Sequence, residues 1–338
     1  GYVVAHVGKW HCGKFPAERF DFARAYHGQH WITAPDGSKI HVTQQNENDA
    51  LEFLRSRPAD RPFSLVVNFF APHAEDRHPL QYLPQPDSLG LYAGAPVPVP
   101  PSATEESFRR LPDFIAKESN EGRKRWRDRF DTPEKYQAMM KNYFRLVTEV
   151  DAACGRILAE LDRQGVTDST LIVFTGDNGY LHGEHGLADK WYAFEESIRV
   201  PLIVLDPRAS SAAGTVRTEW ALNVDLAPTL LGAAGMKTPE RMQGRDLAAL
   251  YTQNKVPDWR TDFFYEHPTL RSVDFIPSSE GLVELDWKYI RWPDFGREQL
   301  FDLRADRREE NDLAALPEHA SRLRAMRARC DQLKQEAQ

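Results

Sequence analysis

The sequence predicts an α/β fold, with a mixed, mostly parallel sheet sandwiched by helices and a small α+β subdomain at the C-terminal end. Three observations predict it. Short apolar runs rich in β-branched and aromatic residues, at residues 2–7, 62–70 and 171–174, read as strands buried on both faces of a parallel sheet. Between them lie long amphipathic segments suited to cover such a sheet. Beyond about residue 255 the pattern turns to short strands with antiparallel character. The expected domains are therefore residues 1–255 and residues 256–338.

Taken in order, the first strand runs into Gly8-Lys9-Trp10-His11-Cys12-Gly13, a glycine-bracketed turn that carries a cation and an imidazole. Residues 44–57 read as an amphipathic helix stopped by Pro58. The strand at 62–70 ends in Ala71-Pro72-His73, a second imidazole at a strand's C-terminal end. From residue 74 to about 132 the chain is rich in proline and charge and poor in periodicity, which predicts a long functional or mobile loop. Its basic block GRKRWRDRF, residues 122–130, reads as a solvated face. Pro133 opens the clearest helix, with Tyr136, Met139, Met140, Tyr143, Leu146, Val147, Val150, Ala153, Cys154, Ile157, Leu158 and Leu161 on one stripe and Gly165 as its stop. This helix returns the chain to the strand at 171–174 as a βαβ-type crossover. Residues 200–205 read as a strand and 222–231 as a helix, with Asp225 as a cap and not a ligand. Residues 262–265, 282–292 and 299–303 read as short antiparallel strands, and 313–333 contains a closing helix.

Composition narrows the function. The 338 residues are 41% hydrophobic and 28% charged, a globular balance, and the net charge of -7 argues against a nucleic-acid binder, which needs a basic surface. Three cysteines, Cys12, Cys154 and Cys330, are too few and too scattered for a disulfide framework or a zinc knuckle. No apolar run is long enough to span a bilayer, and no basic-then-apolar signal segment opens the chain. The sequence starts directly on a strand without an initiator Met, and we expect it to begin inside a domain.

The chemistry is expected in TGDNGYLHGEHGLADK, residues 175–190. Asp177 and Asn178 are hard oxygen donors directly after a strand, where open α/β sheets place their ligands, and Gly176 and Gly179 allow a tight turn around them. An oxygen-ligated Ca²⁺ or Mg²⁺ suits the pair. An ordinary Asp-Asn-Gly turn accounts for the same residues. His182, Glu184 and His185 sit in a glycine-rich loop whose spacing is not a helical zinc motif.

Five segments in order and spacing resemble the sulfatase family of the alkaline-phosphatase-like fold: GKWHCG at 8–13, APH at 71–73, TGDNG at 175–179, GEHGLADKWYAFEESIRVPLIV at 183–204 and DLAPTLL at 225–231. The resemblance covers nearly the whole chain, and the 183–204 block is most similar to bacterial arylsulfatases and glycosaminoglycan or mucin sulfatases. It implies that Asp177 and Asn178 supply two ligands to Ca²⁺. It also implies that Lys9 and Lys190 grip the sulfate, whose transfer spreads negative charge over its oxygens. His73 matches the histidine beside the leaving oxygen and His11 the one that helps expel sulfate. His185, Glu266 and His267 are candidates for the substrate pocket. Lys9, His11, His73 and Lys190 are expected to converge, since parallel strands present their C-terminal ends on one edge.

One departure stands out. The family carries, ahead of its GKWH turn, two acidic metal ligands and a Cys or Ser in a C-x-P-S-R type motif that matures to formylglycine, the nucleophile. Here Cys12 is followed by GKFP, Cys154 by GRIL and Cys330 by DQLK. The leading reading is a Ca²⁺-dependent sulfatase acting on a sulfated sugar or aryl sulfate, represented without its nucleophile segment. A phosphodiesterase or phosphonate monoester hydrolase of the same superfamily is the second reading. The third, from another class, is a pseudoenzyme that binds sulfated glycans without turning them over. The family usually works outside the cytoplasm, so the resemblance implies a periplasmic or secreted protein. The sequence does not reveal an oligomeric state.

Overall fold

The computed structural model describes residues 1–34, 36–76, 78–253 and 256–337. In chain order its strands are β1 (Val3–Lys9), β2 (Phe22–Tyr26), β3 (Trp31–Thr33), β4 (Lys39–His41), β5 (Phe63–Asn68), β6 (Ile172–Thr175), β7 (Leu181–His182), β8 (Ala188–Asp189), β9 (Leu202–Leu205), β10 (Asp262–His267), β11 (Ser279–Glu284), β12 (Trp287–Trp292) and β13 (Arg297–Asp302). Its helices are α1 (Val42–Ser56), α2 (Glu105–Arg110), α3 (Glu121–Arg129), α4 (Pro133–Arg163), α5 (Glu195–Ile198), α6 (Leu226–Ala233), α7 (Ala248–Thr252) and α8 (Ala320–Glu336). The chain divides into two compact units, Gly1–Pro98 with Asp131–Thr170 and Val99–Phe130 with Leu171–Gln338. This division does not follow a boundary near residue 255.

The first unit is built on the parallel sheet β2-β1-β5. Val3, Ala5 and Val7 of β1 are buried, as a central apolar strand requires. Helix α1 covers the sheet with Ala50, Phe53 and Leu54, and α4 packs beside α1. Charge ties the two helices. Arg156 of α4 places Nε and Nη2 on the Glu47 carboxylate at 2.5 and 2.6 Å, and Arg55 of α1 reaches Glu160 at 3.1 Å. The long helix starts as expected at Pro133, behind Thr132, whose hydroxyl accepts the amide of Lys135 at 3.2 Å. Cys154 lies half-buried within it.

The second unit holds the antiparallel sheet β10-β11-β12-β13 and the two-stranded ladder β6-β9. Phe108, Leu111, Ile115, Leu181, Tyr192, Phe194, Ile290, Trp292 and Phe301 form one core cluster. On the other side of the sheet Leu282, Tyr289 and Leu300 meet Met326 and Cys330 of α8.

Four expectations need correction. The strand near 171–174 is present as β6, but it pairs antiparallel with β9 and leaves Phe174 and Ile203 exposed, so it is not buried on both faces of a parallel sheet. Alternation along a two-stranded ladder puts every second side chain on the open face. Residues 282–292 form two strands and not one, because the chain reverses at Leu285 and Asp286 and β11 pairs with β12. The stretch 74–132 is not one long loop: Thr104 and Asn120 cap α2 and α3. Nor is the basic block of 122–130 a solvated face, since Arg123 and Arg129 are fully buried. Asp225 holds the N-cap position of α6 without a side-chain cap hydrogen bond; its Oδ2 instead accepts the Leu222 amide three residues earlier at 2.7 Å, and Arg260 grips the same carboxylate.

Candidate active site

In the first unit the site residues are set by backbone register. Lys9 ends β1 and Asn68 ends the parallel neighbour β5, with Gly8 opposite Asn68 in the ladder. The Asn68 side chain donates to Lys9 O at 3.3 Å. Only glycine fits at position 8. Its φ is +103° and an added Cβ would lie 2.1 Å from Asn68 O. His11 follows in the turn, exposed, beside the exposed Cys12. Beyond β5 the chain passes a cis Ala71–Pro72 peptide to His73, whose amide donates to Phe70 O at 2.9 Å. His73 Nδ1 lies 2.7 Å from Ala74 O. A carbonyl only accepts, so Nδ1 carries the hydrogen in this contact. The structure thus brings Lys9 and the His73 loop to the same edge of the β2-β1-β5 sheet.

In the second unit β6 delivers the turn Gly176-Asp177-Asn178-Gly179. Asp177 and Asn178 are exposed and adjacent at the strand's C-terminal end. Asp177 Oδ1 accepts the Asn178 amide at 2.9 Å, and Asn178 Nδ2 donates to Gly179 O at 2.6 Å. Gly179 locks the turn against α5, its amide donating to Ser197 O at 2.9 Å. A Cβ there would stand 2.1 Å from Glu196 O. Hard, exposed oxygens on neighbouring residues fit Ca²⁺ or Mg²⁺ in kind, but they are two donors where Ca²⁺ takes six to eight. Among the described residues no group of three or more His, Cys, Asp and Glu is arranged to hold a metal.

Lys190 follows β8, the partner of β7 in a short hairpin. Its Nζ lies 3.2 Å from Oδ1 of Asp189, a carboxylate that is 1% exposed and also receives Arg125 and Arg129 of α3. Burial alone pushes the Asp189 carboxyl up, yet Lys190, Arg129 and Arg125 together outweigh it and hold the group well below the usual carboxylate range. Asp189 and Trp191 have φ of +80° and +88°, so the backbone is in a disfavoured region on both sides of the lysine.

His185 is buried and lines a small cavity with Ser107, Gln299 and Glu309. It is 1% exposed, stacked on Phe194 at 4.3 Å, with Nε2 unsatisfied among the described residues. Its backbone is left-handed at φ +56°, and burial lowers its pKa to about 4. His182 sits beside Tyr180, ring centroids 4.7 Å apart, and its pKa falls to about 4 through burial and then Arg129. Glu266 is exposed and His267 half-buried at the end of β10, opposite Glu280 and Ser279. Sequence reasoning passed over Arg125, Arg129, Asp189 and Tyr180. Glu121, Arg125 and Arg129 recur every fourth residue behind the Asn120 cap, a helical spacing that marks one face.

Residues 1–236 match the sulfatase family, and residues 183–336 match the C-terminal part of N-sulphoglucosamine sulphohydrolase. The N-acetylglucosamine-6-O-sulfatase of Bacteroides thetaiotaomicron is 27% identical over 95% of this chain and 68% of its own length. A structure solved in complex with its substrate D-glucosamine-2-N,6-O-disulfate superposes over 100% of this chain and 80% of that one, with a TM-score of 0.82 and 26% identity. The phosphonate monoester hydrolase of Silicibacter pomeroyi shares the fold, with a TM-score of 0.81 and 19% identity over 100% of this chain and 78% of that one. The chain spans 68%, 56% and 59% of the length of three curated relatives. A family match that covers more than half of the residues, on the alkaline-phosphatase-like fold, identifies the chain as a member of the sulfatase family.

Proposed function

We propose that this chain forms most of a sulfatase that hydrolyses a sulfate ester of an amino sugar outside the cytoplasm. The observation that carries the substrate class is the similarity over 95% of the chain to a relative named for N-acetylglucosamine 6-O-sulfate. Physical chemistry supports the same reading. Lys190 and Lys9 are cations at strand ends, suited to hold the sulfuryl oxygens as negative charge spreads over them. As the imidazolium, with Nδ1–H directed to Ala74 O, His73 would give its other ring proton to the departing sugar oxygen. His11, in the exposed turn, is suited to take a proton when sulfate leaves. Asp177 and Asn178 would contribute two oxygens to a divalent cation, which when bound polarises a sulfate oxygen.

Within residues 1–338 no cysteine stands in a C-x-P-S-R type motif, so we expect these residues expressed alone to bind a sulfate ester and not to turn it over. The test is calorimetric titration of the chain with glucosamine 6-sulfate, glucosamine 6-phosphate and unsubstituted glucosamine. Binding of the sulfate ester, weakened about tenfold in Lys190→Ala, is the expected result. A preference for the phosphate ester would favour the second reading, a phosphonate or phosphate ester hydrolase, for which the shared fold speaks. Turnover by this chain that Asp177→Ala abolishes would show that the nucleophile lies within residues 1–338.

A further inference from the structure

Arg129 is a charged side chain with 1% exposure, and its position joins two segments that the proposed function uses separately. Its Nη1 donates to the hydroxyl of Tyr180, the residue after the Asp177-Asn178-Gly179 turn. The same nitrogen donates to Asp189 Oδ2 at 2.9 Å, and Asp189 precedes Lys190. Arg125, one helical turn earlier on α3, reaches that Oδ2 at 2.5 Å, is braced by Glu121 at 2.9 Å and lies over the Trp191 ring at 5.2 Å. Helix α3 therefore touches residues on both sides of Lys190, at the two positions whose backbone is left-handed. Such a backbone persists only where its surroundings over-determine it, and the surroundings here are two guanidinium groups on one buried carboxylate. Both bonds leave one nitrogen of a rigid, planar guanidinium, whose directions a flexible ammonium does not hold.

We propose that Arg129 is a positioning residue, tying the Asp177–Asn178 turn to Lys190 through Tyr180 and Asp189 so that the lysine is held ready for an anion. The proposal rests on the reading of Lys190 as the sulfate-gripping cation. Arg129 itself touches no substrate in this scheme. Its effect on anion binding passes through Asp189, whose other oxygen meets Lys190 Nζ at 3.2 Å. Tyr180 OH supplies the second anchor, without which one end of the bridge would rest on α3 alone.

The experiment uses the 338-residue chain and inorganic sulfate as probe, with affinity measured by calorimetry and folding followed by near-UV circular dichroism. Lys190→Ala is expected to weaken sulfate binding about tenfold, as loss of one charge-assisted contact should. Arg129→Lys, which keeps the charge and replaces the rigid planar guanidinium with a flexible ammonium, is expected to weaken it about fivefold in protein with native circular dichroism. Tyr180→Phe, which removes one hydroxyl and no charge, is expected to weaken it about threefold. In the Lys190→Ala background both changes should have no further effect, because they act through that lysine. A role confined to stability predicts a lower unfolding midpoint with sulfate affinity unchanged, and that result overturns the proposal. So do effects that add fully to that of Lys190→Ala. Should Arg129→Lys fail to fold, Tyr180→Phe alone decides by the same criteria. If Lys190→Ala leaves sulfate affinity unchanged, the reading of Lys190 falls and takes this proposal with it, whereas the earlier outcomes remove the proposal alone.

Discussion

The two regions that carry the proposed chemistry are fixed by different means. Lys9 and the His73 loop end parallel strands of the β2-β1-β5 sheet, and ladder register with a close backbone approach at Gly8 sets where they stand. Lys190 is set by side chains, a buried carboxylate clasped by Arg125 and Arg129 on a helix some sixty residues upstream. Register is a collective property of many backbone bonds, and single exposed side chains barely disturb it. An ion clasp concentrates the same task in one carboxylate, so one substitution can undo it.

The largest expected effect therefore belongs to Asp189. Asp189→Ala leaves Arg129 buried without its carboxylate, and we expect a loss of about 3–5 kcal/mol in urea unfolding. A loss under about 1 kcal/mol would mean that the clasp holds little. The pH dependence has a definite sign. The folded pKa of Asp189 lies below its unfolded value, so its stabilisation is complete above the ordinary carboxylate pKa and fades as pH falls toward the lower folded value.

The matching break in the first unit is made at the backbone. Gly8→Ala places a Cβ 2.1 Å from Asn68 O at φ +103°. Strain and overlap together should cost about 3 kcal/mol. His11→Ala, three residues away and exposed, should stay within about 0.5 kcal/mol. Equal costs for the two would mean that register does not organise this edge.

Histidines withdrawn from solvent sharpen the comparison, because each unit has them: His30 and His185 are buried and His182 half-buried. Burial lowers His182 and His185 to about 4 in the second unit, and burial followed by His41 lowers His30 to about 3 in the first. For each, the unfolded chain binds the proton first as pH drops. Stability is then full above about pH 6.5 and lost as pH falls toward the folded value, by about 2 kcal/mol at pH 5 for a group shifted to about 4. Urea unfolding at pH 7, 6 and 5 measures the sum, and His182→Gln should flatten the curve by its own share. A variant with the unchanged pH slope would mean that His182 is not held neutral by burial.

What the sequence revealed follows the same division. The apolar stripe of α4, with Pro133 at its start, was legible because periodicity is local, and so were β1, β5, β10 and the sulfatase motifs. The pairing of β6 with β9 was not, since an apolar run does not state which neighbour it will meet or which face stays open. The clasp on Asp189 was hidden for the same reason. Arginines 125 and 129 resemble a solvated helix face until the fold brings Asp189 to them, and nothing near Lys190 in the sequence points to residue 129. The burial of His185 was not legible either, because it depends on packing against an aromatic ring, Phe194, nine positions on.

The smallest expected effect concerns the metal. Asp177 and Asn178 are exposed and contribute one carboxylate and one amide oxygen, well short of a Ca²⁺ shell, so water would complete most of the coordination. A site of so few protein ligands should have a dissociation constant on the order of 10 mM. At about 10 mM Ca²⁺ linkage then gives about 0.4 kcal/mol of stabilisation. That amounts to a rise of about 0.5–1 °C in the unfolding midpoint for a chain of this size. Asp177→Ala should abolish the rise, and Asn178→Ala should reduce it less, because a neutral amide oxygen attracts the cation more weakly than a carboxylate. Asp189→Asn, in whatever fraction remains folded, should leave it alone, since that carboxylate is buried and occupied by three cations. A submillimolar affinity that survives Asp177→Ala would place the cation elsewhere on the chain and detach the Asp177–Asn178 turn from metal binding.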